Sequence, residues 1–301
     1  MILASYQSKI FTFLLRLIDK KNFLQRQLRS GRFDRFDCPV PPASLFGRIE
    51  KHQLYARNVF TLQPARATGS RTHILYLHGG AYVQSFTLPH WYFLSGLLKG
   101  TGAGITAPDY PLAPQHTYRE AFAMVESLYK QLISVHDPSS LVLMGDSAGG
   151  GFALALAQKM KNDHMPMPGR IILLSPWLDI ALENPAIKAL DNKDPFLGRE
   201  SLRQAGKLYA GGTSPDHYLL SPINGPLKDL GSITVFAGSH EILSADTRKL
   251  KAMAESIGAD LDYYEYADMI HGWILLHFPE SQQAKQQIID LILKMEDRNQ
   301  K

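Results

Sequence analysis

Cysteine is almost missing from this sequence. Cys38 is the only one in 301 residues, so neither an internal disulfide nor a cysteine-built zinc site can form. That usage fits a reducing compartment, and a cytoplasmic location is expected. Also missing is any apolar run near the roughly 20 residues that a membrane-spanning helix needs. The apolar stretch Ile10–Leu15 is cut by Arg16 and followed by Asp19-Lys20-Lys21, with no small-residue cleavage site after it, which argues against a secretory signal. Eleven histidines are present, but none stand in a metal-ligand pattern such as H-E-x-x-H, so no metal or other cofactor is expected. Internal repeats and low-complexity tracts are absent too.

Charge of one sign is in modest excess, a formal +4. Residues 1–60 hold eleven Lys/Arg against four Asp/Glu, a net +7, which leaves −3 for the remainder. A faintly acidic body behind a basic front end does not make a nucleic-acid platform, and no nucleic-acid partner is expected.

With 45% hydrophobic and 20% charged residues the chain is ordinary globular protein. Residues 5–29 read as an amphipathic helix, with Tyr6, Ile10, Phe13, Leu14, Leu17 and Phe23 at helical spacings. Its apolar face is expected to dock on its own domain; the sharper alternative is peripheral contact with a lipid surface. From residue 54 onward short β-rich runs alternate with longer helical patterns. Strands are expected at Leu54–Leu62, Ile74–Leu77, Gly104–Ala107, Leu141–Met144, Ile171–Leu174, Ile233–Ala237 and Leu261–Tyr266, with helices near 89–99, 118–134, 148–161, 244–257 and 280–296. This alternation gives an α/β fold with a mostly parallel sheet flanked by helices. The Pro-, Gly- and Asp-rich segment 180–230 breaks the rhythm, with one helical stretch near 199–210, and reads as a cap insertion.

The chemistry lies at the ends of these strands. Gly145-Asp146-Ser147-Ala148-Gly149-Gly150 follows the Leu141–Met144 strand and opens a helix, a G-x-S-x-G in the strand–turn–helix setting of a nucleophile elbow. His78-Gly79-Gly80-Ala81-Tyr82 follows the Ile74–Leu77 strand. Its Gly79 and Gly80 N–H groups, with that of Ala148, are the expected oxyanion-hole donors. The serine needs a base, and His271, on the loop after the Leu261–Tyr266 strand, is better placed than His277. The base needs a carboxylate. Glu241, three residues past Gly238 at the end of the Ile233–Ala237 strand, is preferred, with Asp246 and Asp268 as weaker candidates. The order Ser147…Glu241…His271 is that of α/β-hydrolases. Tyr82 and Trp177 adjoin these motifs and are expected to bind substrate, with Phe86, Trp91, Trp273 and Phe278 as further pocket candidates. Asp146 is expected to orient the elbow or the alcohol side, or to be a buried structural group.

On these residues the chain resembles the hormone-sensitive-lipase-like family of α/β-hydrolase carboxylesterases, over roughly residues 70–280. Ser175-Pro176-Trp177-Leu178-Asp179 and Asp109-Tyr110-Pro111-Leu112-Ala113-Pro114 extend the likeness. Pro111 and Gln115 stand where the family usually has arginine and glutamate, Ala81 where it commonly has glycine, and Glu241 where many relatives carry Asp. The resemblance implies an eight-stranded, mostly parallel sheet and an N-terminal cap helix region over 1–45. A catalytic domain over 46–301 would carry the 180–230 insertion. It implies serine hydrolysis of short- to medium-chain acyl esters through an acyl-enzyme. The alternatives are an interfacial lipase, an amide or lactone hydrolase on the same triad and, furthest off, a non-catalytic receptor. A homodimer is expected by the same likeness.

Overall fold

In a computed structural model of the chain, residues 4–33, 37–66 and 68–299 are described. Residues 1–3 and 34–36 of the expected cap region lie outside them. The strands are β1 (Arg48–Leu54), β2 (Arg57–Gln63), β3 (His73–Leu77), β4 (Gly104–Pro108), β5 (Leu141–Asp146), β6 (Arg170–Leu174), β7 (Ile233–Gly238) and β8 (Leu261–Tyr266). The helices are α1 (Tyr6–Leu17), α2 (Phe23–Ser30), α3 (Leu88–Thr101), α4 (Tyr118–Val135), α5 (Ala148–Asn162), α6 (Ile187–Asp191), α7 (Arg199–Ala210), α8 (Ser244–Ile257) and α9 (Pro279–Asn299).

One eight-stranded sheet runs in the order β1-β2-β4-β3-β5-β6-β7-β8. β1, β2 and β4 pair antiparallel, and every later pairing is parallel. The period-2 alternation sends Leu75, Leu77, Leu143 and Leu173 to one face, under α4, α5 and α8. Ile74, Tyr76, Met144 and Ile172 go to the other, under α3 and α9. Both faces are therefore dry, which is why the central strands are near-continuous apolar runs.

Two expectations need correction. The single strand Leu54–Leu62 is a β1–β2 hairpin, with Leu54 opposite Arg57 and a two-residue turn at Tyr55 (φ 53°) and Ala56 (φ 58°). Turns with two positive φ values normally advertise themselves with Asn-Gly or Asp-Gly; Tyr-Ala gives no such signal. The helix over 5–29 is two helices, parted at Asp19, which turns left-handed at φ 52°. The first of them docks on its own domain, but not by the apolar stripe. Tyr6, Ile10, Phe13, Leu14 and Leu17 are exposed, and the opposite face, with Ser8, Leu15 and the half-buried Phe11, meets the domain.

The 180–230 segment supplies α6 and α7 and meets the N-terminal helices. Lys21 pairs with Asp191 at 2.9 Å, Arg16 donates to the Lys193 carbonyl at 3.2 Å, and Gln25 donates to Gln204 at 3.1 Å.

Candidate active site

Ser147 sits between β5 and α5 at φ 52°, ψ −120°, a strained conformation for a residue with a side chain. Its neighbours have no room for one. A Cβ on Gly145 would lie 2.2 Å from the Gly149 carbonyl oxygen, and one on Gly149 would lie 2.0 Å from that of Leu77. The turn is fastened by Ser147 N–H to the Leu174 carbonyl at 2.8 Å, and the Ser147 carbonyl accepts from Gly151 and Trp177. This lifts Oγ over the sheet end, beside the positive N-terminus of α5.

His271 Nε2 lies 2.8 Å from Ser147 Oγ, and its Nδ1 lies 2.5 Å from Glu241 Oε2. Glu241 is wholly buried, and its other oxygen accepts from Ser175 Oγ and the Gly238 N–H, each at 2.7 Å. Burial alone would lower the His271 pKa. The hydrogen bond and charge of Glu241 override it, with Asp194 and Asp146 adding to the pull, so the imidazole titrates above its ordinary value. The residues expected as nucleophile, base and acid are thus in one hydrogen-bonded line.

The weaker candidates lie elsewhere. Asp246 is inside α8 and buried rather than exposed, accepting from Asn184 at 2.9 Å. Asp268 faces His240 at 3.1 Å. His277 is exposed and bonds Gln282.

The oxyanion loop corrects one expectation. Gly79 N–H is not free: it donates to Asp146 Oδ1 at 2.8 Å. The N–H groups of Gly80 and Ala81 have no partner among the described residues, and both residues have positive φ, 112° and 54°. With Ala148, whose N–H is among those a helix N-terminus leaves unpaired, they are the donors available here. The signal was the His-Gly-Gly-Ala run itself, read one residue too early. His78 is buried and neutral-leaning, lowered to about 4 chiefly by burial; its ring stacks on Tyr110 and its Nδ1 lies 2.6 Å from the Gly79 carbonyl oxygen.

Asp146 is buried, and its carboxylate is engaged within the fold. One oxygen also accepts from Tyr76 OH at 2.7 Å, and the other faces His90 Nε2 at 3.4 Å. Burial would raise its pKa, but His90, Tyr76 and Gly79 bring it below the ordinary value. Tyr82 and Trp177, expected to bind substrate, lie in an aromatic stack. Both are buried, and Tyr82 stacks on Tyr209 at 3.7 Å and on Trp177 at 5.6 Å. Phe86, Trp91, Trp273 and Phe278 are likewise core.

The aromatic beside the site is Phe196, which the sequence reading missed; its ring lies 5.8 Å from that of His271. Asp194, two residues earlier, holds the Phe196 and Leu197 N–H groups with one oxygen and that of Ile242 with the other, so the cap segment is tied to the Glu241 loop. Burial pushes its carboxyl up to about 6. Arg57 of β2 pairs with the Asp109 carboxylate at 2.8 Å and also donates to the Asp109 carbonyl.

The family model for the alpha/beta hydrolase fold matches residues 74–275. The chain is 33% identical to an acetyl-hydrolase of Streptomyces hygroscopicus over 74% of this chain and 75% of that one. It is 29% identical to an esterase of Acinetobacter venetianus, over 77% and 78%. The solved structure of an esterase from the bacterial hormone-sensitive lipase family is similar at a TM-score of 0.81 and 26% identity, covering 98% of this chain and 99% of that one. With the elbow, the Gly-Gly-Ala loop and the eight-stranded sheet in place, the chain belongs to the hormone-sensitive-lipase-like esterases of the alpha/beta hydrolase fold.

Proposed function

We propose that this protein is a serine carboxylic-ester hydrolase for short- to medium-chain acyl esters, working through an acyl-enzyme, with residues 1–45 and 180–230 as its cap. The observation that carries the reading is the line from Glu241 through His271 to Ser147 Oγ, ending beside three backbone N–H groups that have no partner among the described residues.

Neutral His271 takes the Ser147 proton as Oγ bonds to the ester carbonyl carbon. Glu241 fixes the tautomer, with the proton on Nδ1, and stabilises the imidazolium that forms. The carbonyl oxygen becomes an anion facing the N–H groups of Gly80, Ala81 and Ala148; one such donor is worth about 3–4 kcal/mol in the transition state. The carbon–oxygen bond to the alcohol then breaks, and His271 returns the proton to the leaving alkoxide. Water, deprotonated by the same imidazole, attacks the acyl-enzyme and releases the acid and free Ser147.

The partner in this reading is a small ester. A cytoplasmic setting rests on the single cysteine. A homodimer through β8 rests on that strand having, among the described residues, a neighbour on one side only.

Hydrolysis of p-nitrophenyl esters of graded chain length, by the native protein and by Ser147→Ala, tests the proposal. Turnover is expected to peak at short or medium chains and to vanish in the variant. Equal rates in the two proteins would overturn it.

A further inference from the structure

The α1 helix is held firmly by one face and leaves the other bare. At its N-terminus, Ser5 caps Ser8 N–H and bonds the Glu280 carboxylate of α9 through both its N–H and its hydroxyl. Phe11 packs edge-on against Phe278 at 5.4 Å, Leu15 is buried, and Arg16 reaches the Lys193 carbonyl. On the opposite face Tyr6, Ile10, Phe13, Leu14 and Leu17 form a continuous stripe, each between 49% and 86% exposed, with Ile18 at 65% beyond its end. Among the described residues, six of the fourteen large apolar side chains that stand exposed fall within these thirteen positions. The others are spread over further helices, a loop and a turn, with no more than two, Leu88 and Tyr92 on α3, on one element.

The charges choose the occupant. Lys9 and Arg16, seven residues apart, border the stripe on one side, and residues 4–18 contain no acid. Exposed Arg29 and Arg32 follow on the same cap. Pairing of α1 with its copy in a second molecule would bring these cations together, whereas anionic headgroups would neutralise them. Twelve residues of helix span about 18 Å, too short to cross the roughly 30 Å of bilayer hydrocarbon, so the helix can only lie in the surface plane.

We propose that α1 is an interfacial anchor that seats this protein, stripe down, on an anionic lipid surface. The site lies next to that anchor. Lys20, three residues after Leu17, has its Nζ 4.6 Å from the Phe196 ring, and that ring packs on His271. Docking therefore holds the Ser147 site beside the lipid. The consequence, that esters dissolved in the surface reach it, rests on the hydrolase reading; the docking itself does not.

Flotation of the full chain with vesicles of phosphatidylcholine, alone or mixed with phosphatidylglycerol, separates the two. The native protein is expected to float with the mixed vesicles, and less so as salt is raised. Phe13→Ser combined with Leu17→Ser should weaken vesicle affinity at least about tenfold, and Lys9→Glu should weaken it about fivefold or more on mixed vesicles only. All variants should hydrolyse a water-soluble p-nitrophenyl ester at the native rate, which reports that they fold. The proposal is overturned if the native protein floats with neither vesicle. It also fails if the variants float as the native protein does, or if the stripe holds a dimer that the Ser substitutions split. A native protein that floats but cleaves no ester would overturn the hydrolase reading alone.

Discussion

The carboxylate of Asp146, the residue before the nucleophile, holds the backbone N–H of Gly79 at 2.8 Å. The nucleophile's own strand thereby sets the position of the oxyanion loop. A Cβ on Gly79 would come within 3.0 Å of the Ser147 Cβ, so the two loops touch where charge develops. Tyr76 and His90 hold the carboxylate in turn.

Asp146→Ala frees the loop and leaves the Gly79 N–H unpaired in a dry site. The expected loss in kcat is about tenfold to a hundredfold, the scale set by small misplacements of catalytic donors, with KM changed much less. Tyr76→Phe, which removes one of the bonds that hold Asp146, should cost less. Steady-state kinetics on p-nitrophenyl butyrate would check both.

Glu241 and Asp246 separate cleanly in their expected behaviour. Glu241→Gln removes the charge that stabilises imidazolium, and kcat should fall by about 10³–10⁴. Asp246→Asn should leave kcat near native and raise stability. Burial pushes the Asp246 pKa up to about 6 from 3.8, so its ionised form opposes folding. That penalty is absent below pH 3.8, grows between 3.8 and about 6, and is complete above. Urea titrations at pH 5 and pH 8 should therefore show the larger gain at pH 8, roughly 1–3 kcal/mol.

The base must be neutral to accept the serine proton, so kcat/KM should climb as pH rises through the His271 pKa. That limb is expected above the ordinary value of 6.5 in the native protein. Without the Glu241 charge, burial is the larger influence left and acts downward, so in Glu241→Gln the residual activity should titrate at lower pH. A pH–rate profile in which the variant's limb moves upward would contradict this account.

The parallel core was legible because strands covered on both faces must be apolar throughout, and α5 and α8 fall where their periodicity places them. Ser147, His271 and Glu241 were legible because each lies on a loop after a strand, at the end where the elbow forces the nucleophile. Gly79 misled because a Gly-Gly pair does not reveal which N–H a neighbouring carboxylate will consume. The burial of Tyr82 and Trp177 was not legible, because adjacency to a motif in sequence says nothing of which face a side chain takes. Phe196 could not be found, since a long insertion folds it back over His271 without any local pattern. The stripe on α1 was visible as a stripe, but periodicity alone cannot tell an inward apolar face from an outward one.

Two glycine-to-alanine substitutions should move stability in opposite directions. In Gly149→Ala the new methyl would meet the Leu77 and His78 carbonyl oxygens at 2.0 and 2.5 Å, both backbone atoms at the sheet end. The N-terminus of α5 must shift away from β3, and overpacking of this kind costs about 1–3 kcal/mol or more. The same shift moves Ala148 and Ser147, so activity should fall further than stability. Gly96, exposed in the middle of α3, has nothing within 4 Å of the added methyl and ordinary helical geometry. There alanine should add about 0.5–1 kcal/mol by narrowing the unfolded ensemble, with activity unchanged. Thermal melts of the two variants beside the native protein, with kinetics on the same samples, check the contrast; a Gly149→Ala protein of native stability and rate would mean that the elbow has slack the packing distances exclude.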